Sequence, residues 1–330
     1  MNLEKLMNSF EPHWAFRGGF LQTVMGSQIP GQPLVFPDKI RHVIDLDVDA
    51  KAIMFEVVAT DKSKPLVLLA HGMGGCSESG YIKRIAEKLW SQGYGVFLAN
   101  HRGSGSGMGL SSSLWNGGSS DDLGKMVEFI FREYPLQNLI LIGFSLSGNI
   151  ILKYLGEGRS IFSGIIGALA VNPPIDLRVS SHILSNKNWL FNRYFMKLLG
   201  RQAEALMQHY PTAMDPRENL STIWNFDVSY TAPAGGYKDV EDYYNRCSAN
   251  SYLKNIHIPT TILCSLDDPF VPPEVFKNLS INGAVTLYQP ERGGHMGYIS
   301  RHPTPKGDHR WMDFAVLEWV REIRNQEVSI

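Results

Sequence analysis

Residues 138–149 read NLILIGFSLSGN. Its first five residues form an apolar run typical of a buried strand, and a helical pattern follows the small residues around Ser145. Gly143, Ser147 and Gly148 are small, as a tight strand-to-helix turn requires, because the following helix packs beside the turn backbone. The stretch therefore predicts a turn that presents the Ser145 hydroxyl at the end of a strand.

The short pattern Gly-x-Ser-x-Ser occurs at two other places, around Ser77 and around Ser111, so the string alone does not identify a nucleophile. Ser111 has no strand pattern before it, and Ser77 lies several residues beyond its strand in a longer loop. Ser145, in contrast, follows its strand within one tight turn. On the local string alone, an ordinary Gly/Ser turn is the competing interpretation of Ser145.

Outward from this stretch, short β-branched runs alternate with longer helical patterns. Such alternation is typical of crossover units around a mostly parallel sheet. We therefore predict an α/β fold in which helices cover both faces of an eight-stranded sheet that opens with an antiparallel pair. The predicted strands are 40–48, 52–58, 65–70, 95–99, 138–142, 165–171, 259–264 and 284–288, and the main helices are 80–92, 120–133, 147–157 and 309–325.

The alternation breaks once, between about Asp176 and Leu253. Loops of this length without secondary structure are uncommon in compact domains. We interpret the segment as a mostly helical cap over the C-terminal edge of the sheet, where open α/β sheets bind ligands. The expected organisation is a single domain, with a core of residues 1–175 and 254–330 and a cap insertion of about 176–253.

Two later strand ends carry an acid and a base. Asp267 and Asp268 follow the seventh predicted strand, and His295 lies in a glycine-flanked loop after the eighth. A serine hydroxyl needs a base, and the base needs an orienting group. The chain order serine, acid, histidine is that of α/β-hydrolases. We predict Ser145 as nucleophile, His295 as base and Asp268 as acid; spacing to a following Val-Pro pair favours Asp268 and leaves Asp267 open.

Each of these residues also has a structural interpretation. A single histidine is often structural, and an Asp pair can cap a helix. Their order and their placement at successive strand ends favour the triad. Acyl transfer also needs N–H donors for the oxyanion, and we assign them to the backbone of Leu146 and Met73, the latter in a loop that could otherwise be a flexible glycine turn. His71 precedes the serine in the chain and is not assigned as the base.

Composition excludes several classes of protein. With 31 Lys+Arg against 32 Asp+Glu the net charge is -1, which does not favour binding of nucleic acid through bulk charge. The longest apolar runs are shorter than a membrane span, and the N-terminus lacks the apolar region of a secretory signal. Three cysteines do not suggest a disulfide framework. We expect a cytoplasmic protein with a well-built core, no transmembrane segment and no nucleic-acid partner.

The sequence does not contain the common motifs for binding a cofactor or a metal ion. The glycine-rich run from Arg102 to Leu110 fits G-x-G-x-x-G in no register, and there is no P-loop. Residues 45–49 with Glu56 resemble a calcium loop, but the sixth position is Ala50 and the pattern favours solvated aspartates on a strand. Neither H-E-x-x-H nor C-x-x-C occurs. We therefore expect no cofactor and no metal ion.

Further motifs extend over nearly the whole chain. They are Gly19–Thr23, His71-Gly72, Ser77–Ser79, Tyr81-Ile82, Asn100–Gly103, Phe226-Asp227, Tyr230–Pro233, Tyr243-Tyr244, Asp267–Phe270 and Gly294-His295. Together with residues 143–149, they resemble the YheT-like branch of the α/β-hydrolase superfamily, whose relatives include medium-chain ester synthases and hydrolases and some phospholipases. The resemblance implies the α/β-hydrolase fold and the same nucleophile, acid and base.

Two positions depart from the family pattern. Ser147 stands where the family usually has glycine, which could perturb the turn, although serine is small enough to fit. Phe20 stands where many relatives have histidine. Since Phe20 lies outside the proposed triad, we expect little catalytic consequence.

The expected function is hydrolysis of carboxylic esters through an acyl-enzyme, with a small-molecule acyl ester as substrate. Dense aromatic and methionine side chains in the cap favour an apolar pocket for medium or longer acyl chains, although they can equally form the cap's own core. Acyl transfer and cleavage of thioesters, amides or C–C bonds are open on the same triad. A non-catalytic binding module is the alternative from another class. The oligomeric state and contact with a membrane surface stay open.

Overall fold

Eight strands form one sheet in the computed structural model, which describes residues 3–29, 35 and 37–328. The order across the sheet is β1-β2-β4-β3-β5-β6-β7-β8. The pairs β1–β2 and β2–β4 are antiparallel, and all the others are parallel. The predicted α/β fold with its mostly parallel, eight-stranded sheet is confirmed. The strands are β1 (Ile40–Asp47), β2 (Ala50–Val57), β3 (Leu66–Ala70), β4 (Val96–Asn100), β5 (Leu139–Phe144), β6 (Ile165–Val171), β7 (Thr260–Leu263) and β8 (Val285–Tyr288).

Helices cover both faces of the sheet, and strand β3 shows how. Leu66, Leu68 and Ala70 point into one apolar cluster, whereas Val67 and Leu69 point into the other. This alternation follows from the two-residue period of a strand. The first cluster includes α4 (Ser120–Glu133) and α5 (Leu146–Gly156), and the second includes α3 (Gly80–Trp90) and α11 (Trp311–Val328). Because both faces are covered, the central parallel strands β3, β5 and β6 consist only of apolar residues and glycine.

Two helices precede the sheet where the sequence pattern predicts none. They are α1 (Leu3–Asn8) and α2 (Gly19–Gln28). Helix α2 contains no charged residue and two glycines, so it lacks the polar and apolar stripes that identify a surface helix from sequence. Across the described residues, no helix has both the length and the apolar character needed to cross a bilayer.

The segment between β6 and β7 is helical, and we call residues 177–255 the cap segment. Several of its apolar side chains, including Leu184, Leu199 and Phe226, join the cluster on the α4 and α5 side of the sheet. The division into core and cap at residues 175 and 254 stays a prediction. The helices of the cap segment are α6 (Leu177–Lys187), α7 (Trp189–His209), α8 (Ile223–Phe226), a π-helical turn (Asp227–Thr231), α9 (Ala232–Ala234) and α10 (Val240–Cys247), followed by 3-10 turns at Ala249–Ser251 and Leu253–Asn255.

Candidate active site

The turn between β5 and α5 consists of one residue, Ser145. Its φ of 52° lies in the left-handed region, which is strained for a residue with a side chain and is often found at functional sites. The Ser145 N–H donates to the Val171 carbonyl at 2.8 Å and fixes the turn to the neighbouring strand. Glycine is required at position 143, since a Cβ there would lie 2.5 Å from the Ser147 carbonyl oxygen.

The structure brings Ser145, His295 and Asp268 into one line of hydrogen bonds. His295 Nε2 lies 2.8 Å from Ser145 Oγ, and His295 Nδ1 lies 2.8 Å from Asp268 Oδ2. Because an ionised carboxylate only accepts, Nδ1 carries the hydrogen and the lone pair of Nε2 faces the serine hydroxyl. This is the arrangement in which a base can take the hydroxyl proton while a carboxylate orients it.

The two neighbouring aspartates have different partners. Besides His295, Asp268 accepts the N–H groups of Phe270 at 2.8 Å and Val271 at 3.1 Å. Asp267 instead accepts the Gly294 N–H at 2.8 Å, and burial raises its pKa. Asp268 therefore faces the histidine ring, while Asp267 holds the backbone of the loop that carries the ring.

Two residues that the sequence analysis did not single out complete the surroundings of His295. Asn172 Nδ2, just after β6, donates to Asp268 Oδ2 at 2.7 Å and to the Gly294 carbonyl at 3.2 Å. Thr23 Oγ1 on α2 accepts the His295 N–H at 2.8 Å. In the sequence, Thr23 could have been found through its place in the Gly19–Thr23 motif. Asn172 could have been found through its position at the end of a strand.

Both expected oxyanion donors lie beside Ser145. Leu146 is the first residue of α5, so its N–H has no acceptor within the helix. The Gly72 carbonyl is held by His71 Nδ1 at 2.8 Å and by the Gly75 N–H at 3.0 Å. Since the carbonyl and N–H of a trans peptide point in opposite directions, the Met73 N–H faces away from these groups. Met73 and Leu146 both line the cavity that contains the Ser145 side chain.

Ser147 fits the turn and joins a buried polar cluster beneath it. Its hydroxyl donates to the His71 carbonyl and accepts from His101 Nε2 at 2.7 Å. The Trp115 ring stacks on His101 with ring centroids 4.2 Å apart. Burial lowers the pKa of His71 to about 4 and holds the pKa of His101 well below its ordinary value, so both rings are neutral at pH 7.

The other two serines of the Gly-x-Ser-x-Ser pattern lie away from this site. Ser77 is buried and bonded to the Asn100 side chain, with Nδ2 3.1 Å from its hydroxyl. Ser111 is buried in an isolated bridge with Ala50. Neither has a histidine among its hydrogen-bond partners within the described residues.

Two cavities meet at Ser145 and His295. One lies beneath the cap segment, and its lining is largely apolar, with Leu184, Phe195, Leu199, Ile223, Phe226 and Phe270. The other is a groove between α2, the glycine-rich loop after β3 and α7. Phe20 lines this groove, and its ring centroid lies 5.2 Å from that of Phe191. Ser145 and His295 therefore border both cavities.

The sequence matches the family model for the alpha/beta hydrolase fold over residues 65–301. The chain belongs to this family. It is 27% identical over 272 residues to the putative esterase YheT of Escherichia coli, covering 79% of this chain and 78% of that protein. This similarity confirms the predicted resemblance to the YheT-like branch. A monoacylglycerol lipase of Saccharomyces cerevisiae is 25% identical over 284 residues, or 82% of this chain, which spans only 62% of the length of that lipase.

Solved structures support the same fold. A soluble variant of monoglyceride lipase from Saccharomyces cerevisiae, in complex with a substrate analog, matches with a TM-score of 0.57 and 17% identity. The match covers 89% of this chain and 99% of that one. At this level of identity the likeness concerns the fold.

Proposed function

We propose that this protein hydrolyses carboxylic esters through an acyl-enzyme formed on Ser145. The observation that carries the proposal is the hydrogen-bonded line from Ser145 Oγ through His295 to Asp268, with two spacings of 2.8 Å. The line ends on a strained turn at the junction of two cavities. Relatives named as an esterase and as a monoacylglycerol lipase support the same reaction class.

The reaction follows from this geometry in two half-reactions. His295 Nε2 takes the hydroxyl proton as Ser145 Oγ attacks the carbonyl carbon, and the N–H groups of Met73 and Leu146 bind the oxyanion. His295 then gives the proton to the departing alkoxide, which leaves as the alcohol. A water molecule repeats the sequence on the acyl-enzyme, releasing the carboxylic acid and restoring the serine. Asp268 stabilises the imidazolium in both halves.

The two cavities suggest where each part of the ester lies. The cavity beneath the cap segment has a largely apolar lining that suits an acyl chain, and we propose medium or longer chains as its occupants. The groove beside α2 suits the alcohol, which must leave before water attacks. Each buried methylene of the chain contributes about 0.8 kcal/mol, so kcat/KM should rise with chain length until the cavity is filled.

Labelling with a fluorophosphonate probe, mapped by mass spectrometry, tests the proposal. The label is expected on Ser145 and should be lost in Ser145→Ala and His295→Ala. Ser77→Ala is the control, because Ser77 lies in the same Gly-x-Ser-x-Ser pattern. This variant should fold, since the Asn100 side chain keeps the Ile53 carbonyl as a partner, and it should be labelled like the wild type. A series of p-nitrophenyl esters from two to sixteen carbons then measures kcat/KM. Absence of label where a known serine hydrolase reacts would overturn the proposal.

A further inference from the structure

Exposed apolar side chains stand at the groove beside α2. Phe20 is 45% exposed, Leu190 is 49% exposed and Tyr194 is 53% exposed, and all three line the groove that Ser145 also lines. Trp189, which begins α7 and precedes Leu190, is 66% exposed. We call Phe20, Trp189, Leu190 and Tyr194 the apolar rim. Single exposed apolar residues are ordinary, whereas a group of them at one groove marks an interaction surface.

The exposed side of α7 continues from the apolar rim as a row of cations. Arg193, Lys197 and Arg201 are exposed and recur every four residues, so they lie on one face of the helix. We call these three residues the basic row. The same spacing places the row on the helix face of Leu190 and Tyr194. In the part of the chain that the structure describes, no member of the basic row has an ion-pair partner.

The two segments that form the rim carry an excess of positive charge. Residues 177–203 contain five Lys or Arg residues and no Asp or Glu, although the net charge of the whole chain is -1. Residues 12–29, which include α2, contain Arg17 and no other Lys, Arg, Asp or Glu. Positive charge without local compensation is thus concentrated around the apolar rim. Such a surface is complementary to an anionic one.

Aromatic side chains and cations are also the two features that hold a protein on an anionic membrane surface. Trp and Tyr side chains favour the boundary between headgroups and acyl chains, because one end of each ring system is apolar and the other is polar. Lys and Arg side chains are attracted to anionic headgroups. A helix that presents both can lie in this boundary without spanning the bilayer. The exposed side of α7 presents both.

We propose that this face docks on an anionic lipid surface, with the apolar rim among the headgroups and the basic row against their phosphates. The groove beside α2 then opens onto the lipid, so that a lipid molecule passes to Ser145 without crossing bulk water. The docking itself does not depend on the ester hydrolysis proposed above.

Flotation of the purified protein with lipid vesicles tests the docking. The vesicles consist of ether-linked phosphatidylcholine, either alone or with about one third of ether-linked phosphatidylglycerol as the anionic lipid. These lipids contain no ester that the protein could cleave. We expect binding to the anionic vesicles and little binding to the neutral ones. The binding should be largely lost at about 0.5 M NaCl, which screens exposed charges.

The basic row is tested by the triple variant Arg193→Gln/Lys197→Gln/Arg201→Gln. Its binding to the anionic vesicles should be roughly 10- to 100-fold weaker, since each cation near such a surface contributes a factor of about five. The matched control replaces Lys62, Lys125 and Lys277 with glutamine. These three lysines are exposed and lie outside residues 12–29 and 177–203, so the control changes the net charge equally and should bind like the wild type.

The apolar rim is tested by Trp189→Ser/Leu190→Ser, which should weaken vesicle binding about tenfold. Leu136→Ser is its control, because Leu136 is 96% exposed in the loop after α4 and does not line the groove. Equal binding to both kinds of vesicle, or binding that the triple variant retains, would overturn the proposal while leaving ester hydrolysis intact. A dimer that dissociates in Trp189→Ser/Leu190→Ser, without vesicle binding by the wild type, would instead assign the rim to a second copy of the chain.

Discussion

The Thr23 hydroxyl accepts the backbone N–H of His295 at 2.8 Å and donates to the Gly19 carbonyl at 2.7 Å. One side chain of α2 thus fixes the loop that carries the histidine, although 272 residues separate the two positions. Gln22 of the same helix binds both backbone groups of Ile299, farther along that loop. Helix α2 therefore supports the loop that carries the histidine of the candidate active site.

Replacing Thr23 with valine keeps the shape and removes the acceptor. The His295 N–H then loses its partner, and the loop should sample positions in which Nε2 no longer faces Ser145. We expect kcat to fall by roughly 5- to 150-fold, corresponding to the usual 1–3 kcal/mol for an unpaired buried donor. Steady-state kinetics with the best ester measures the loss, and Thr23→Ser should recover most of the activity. Unchanged kcat in Thr23→Val would show that α2 does not position the histidine.

Substituting the two aspartates separately distinguishes their roles. Asp268→Asn removes the charge that orients His295 and stabilises its protonated form, and kcat should drop about 10⁴-fold. Asp267→Asn keeps an oxygen that can accept the Gly294 N–H, so most activity should remain. Measured kcat values for the two purified variants provide the comparison. A larger loss in Asp267→Asn would reverse the assignment.

Ser147→Ala tests the buried polar cluster beneath the turn. The change leaves the His71 carbonyl and the Nε2 hydrogen of His101 without their present partner, in a place closed to solvent. We expect the free energy of unfolding to fall by about 1–3 kcal/mol. Chemical denaturation measures it, with Ser63→Ala, on an exposed loop, as the reference. If both variants unfold alike, the cluster does not contribute to stability.

Asp227→Asn should stabilise the protein at high pH. Because burial raises the pKa of Asp227 from 3.8 to about 6, the folded state prefers the neutral acid, and ionisation above pH 6 opposes folding. The neutral amide avoids this penalty. A shift of about two units corresponds to about 3 kcal/mol.

The pH dependence is the control for that prediction. The stability difference between Asp227→Asn and the wild type should be fully present at pH 8 and should shrink as the pH falls from 6 towards 4, where the aspartate itself is protonated. Denaturant titrations at several pH values measure this difference. A constant difference across that range would show that the carboxylate is not destabilised by burial.

Much of the fold follows from local patterns in the sequence. Most of the eight strands are short, largely apolar runs, and their boundaries differ from those predicted by at most two residues. Helix α2 could not be predicted in this way, because its helical structure depends on packing against the His295 loop rather than on an amphipathic pattern. Contacts such as that between Gly26 and Gly297, where a Cβ would approach to 2.6 Å, exist only in the folded chain.

The candidate site, like the fold, could be predicted only in part from the sequence. Ser145 follows β5 directly, and Asp268 and His295 lie in the loops after β7 and β8, so the strand pattern places all three at one edge of the sheet. Their catalytic roles stay predictions. Asn172 and Thr23 are uncharged, and neither residue belongs to a known catalytic motif. Only the three-dimensional arrangement shows which atoms they contact. The partners of Ser147 likewise come from loops after two other strands, at His71 and His101.

The cap segment is one uninterrupted piece of chain, whereas the groups that would act on the ester carbonyl come from separate loops of the sheet. About half of the apolar lining of the cavity beneath the cap segment, including Leu184, Leu199 and Phe226, thus lies on residues 177–255. On the proposed function, substrate preference and reactivity would be carried by different parts of the gene. Exchange of this single segment between relatives should then redirect the enzyme to a new chain without disturbing its chemistry, which would make the cap segment a unit for recombination, in evolution and in the laboratory.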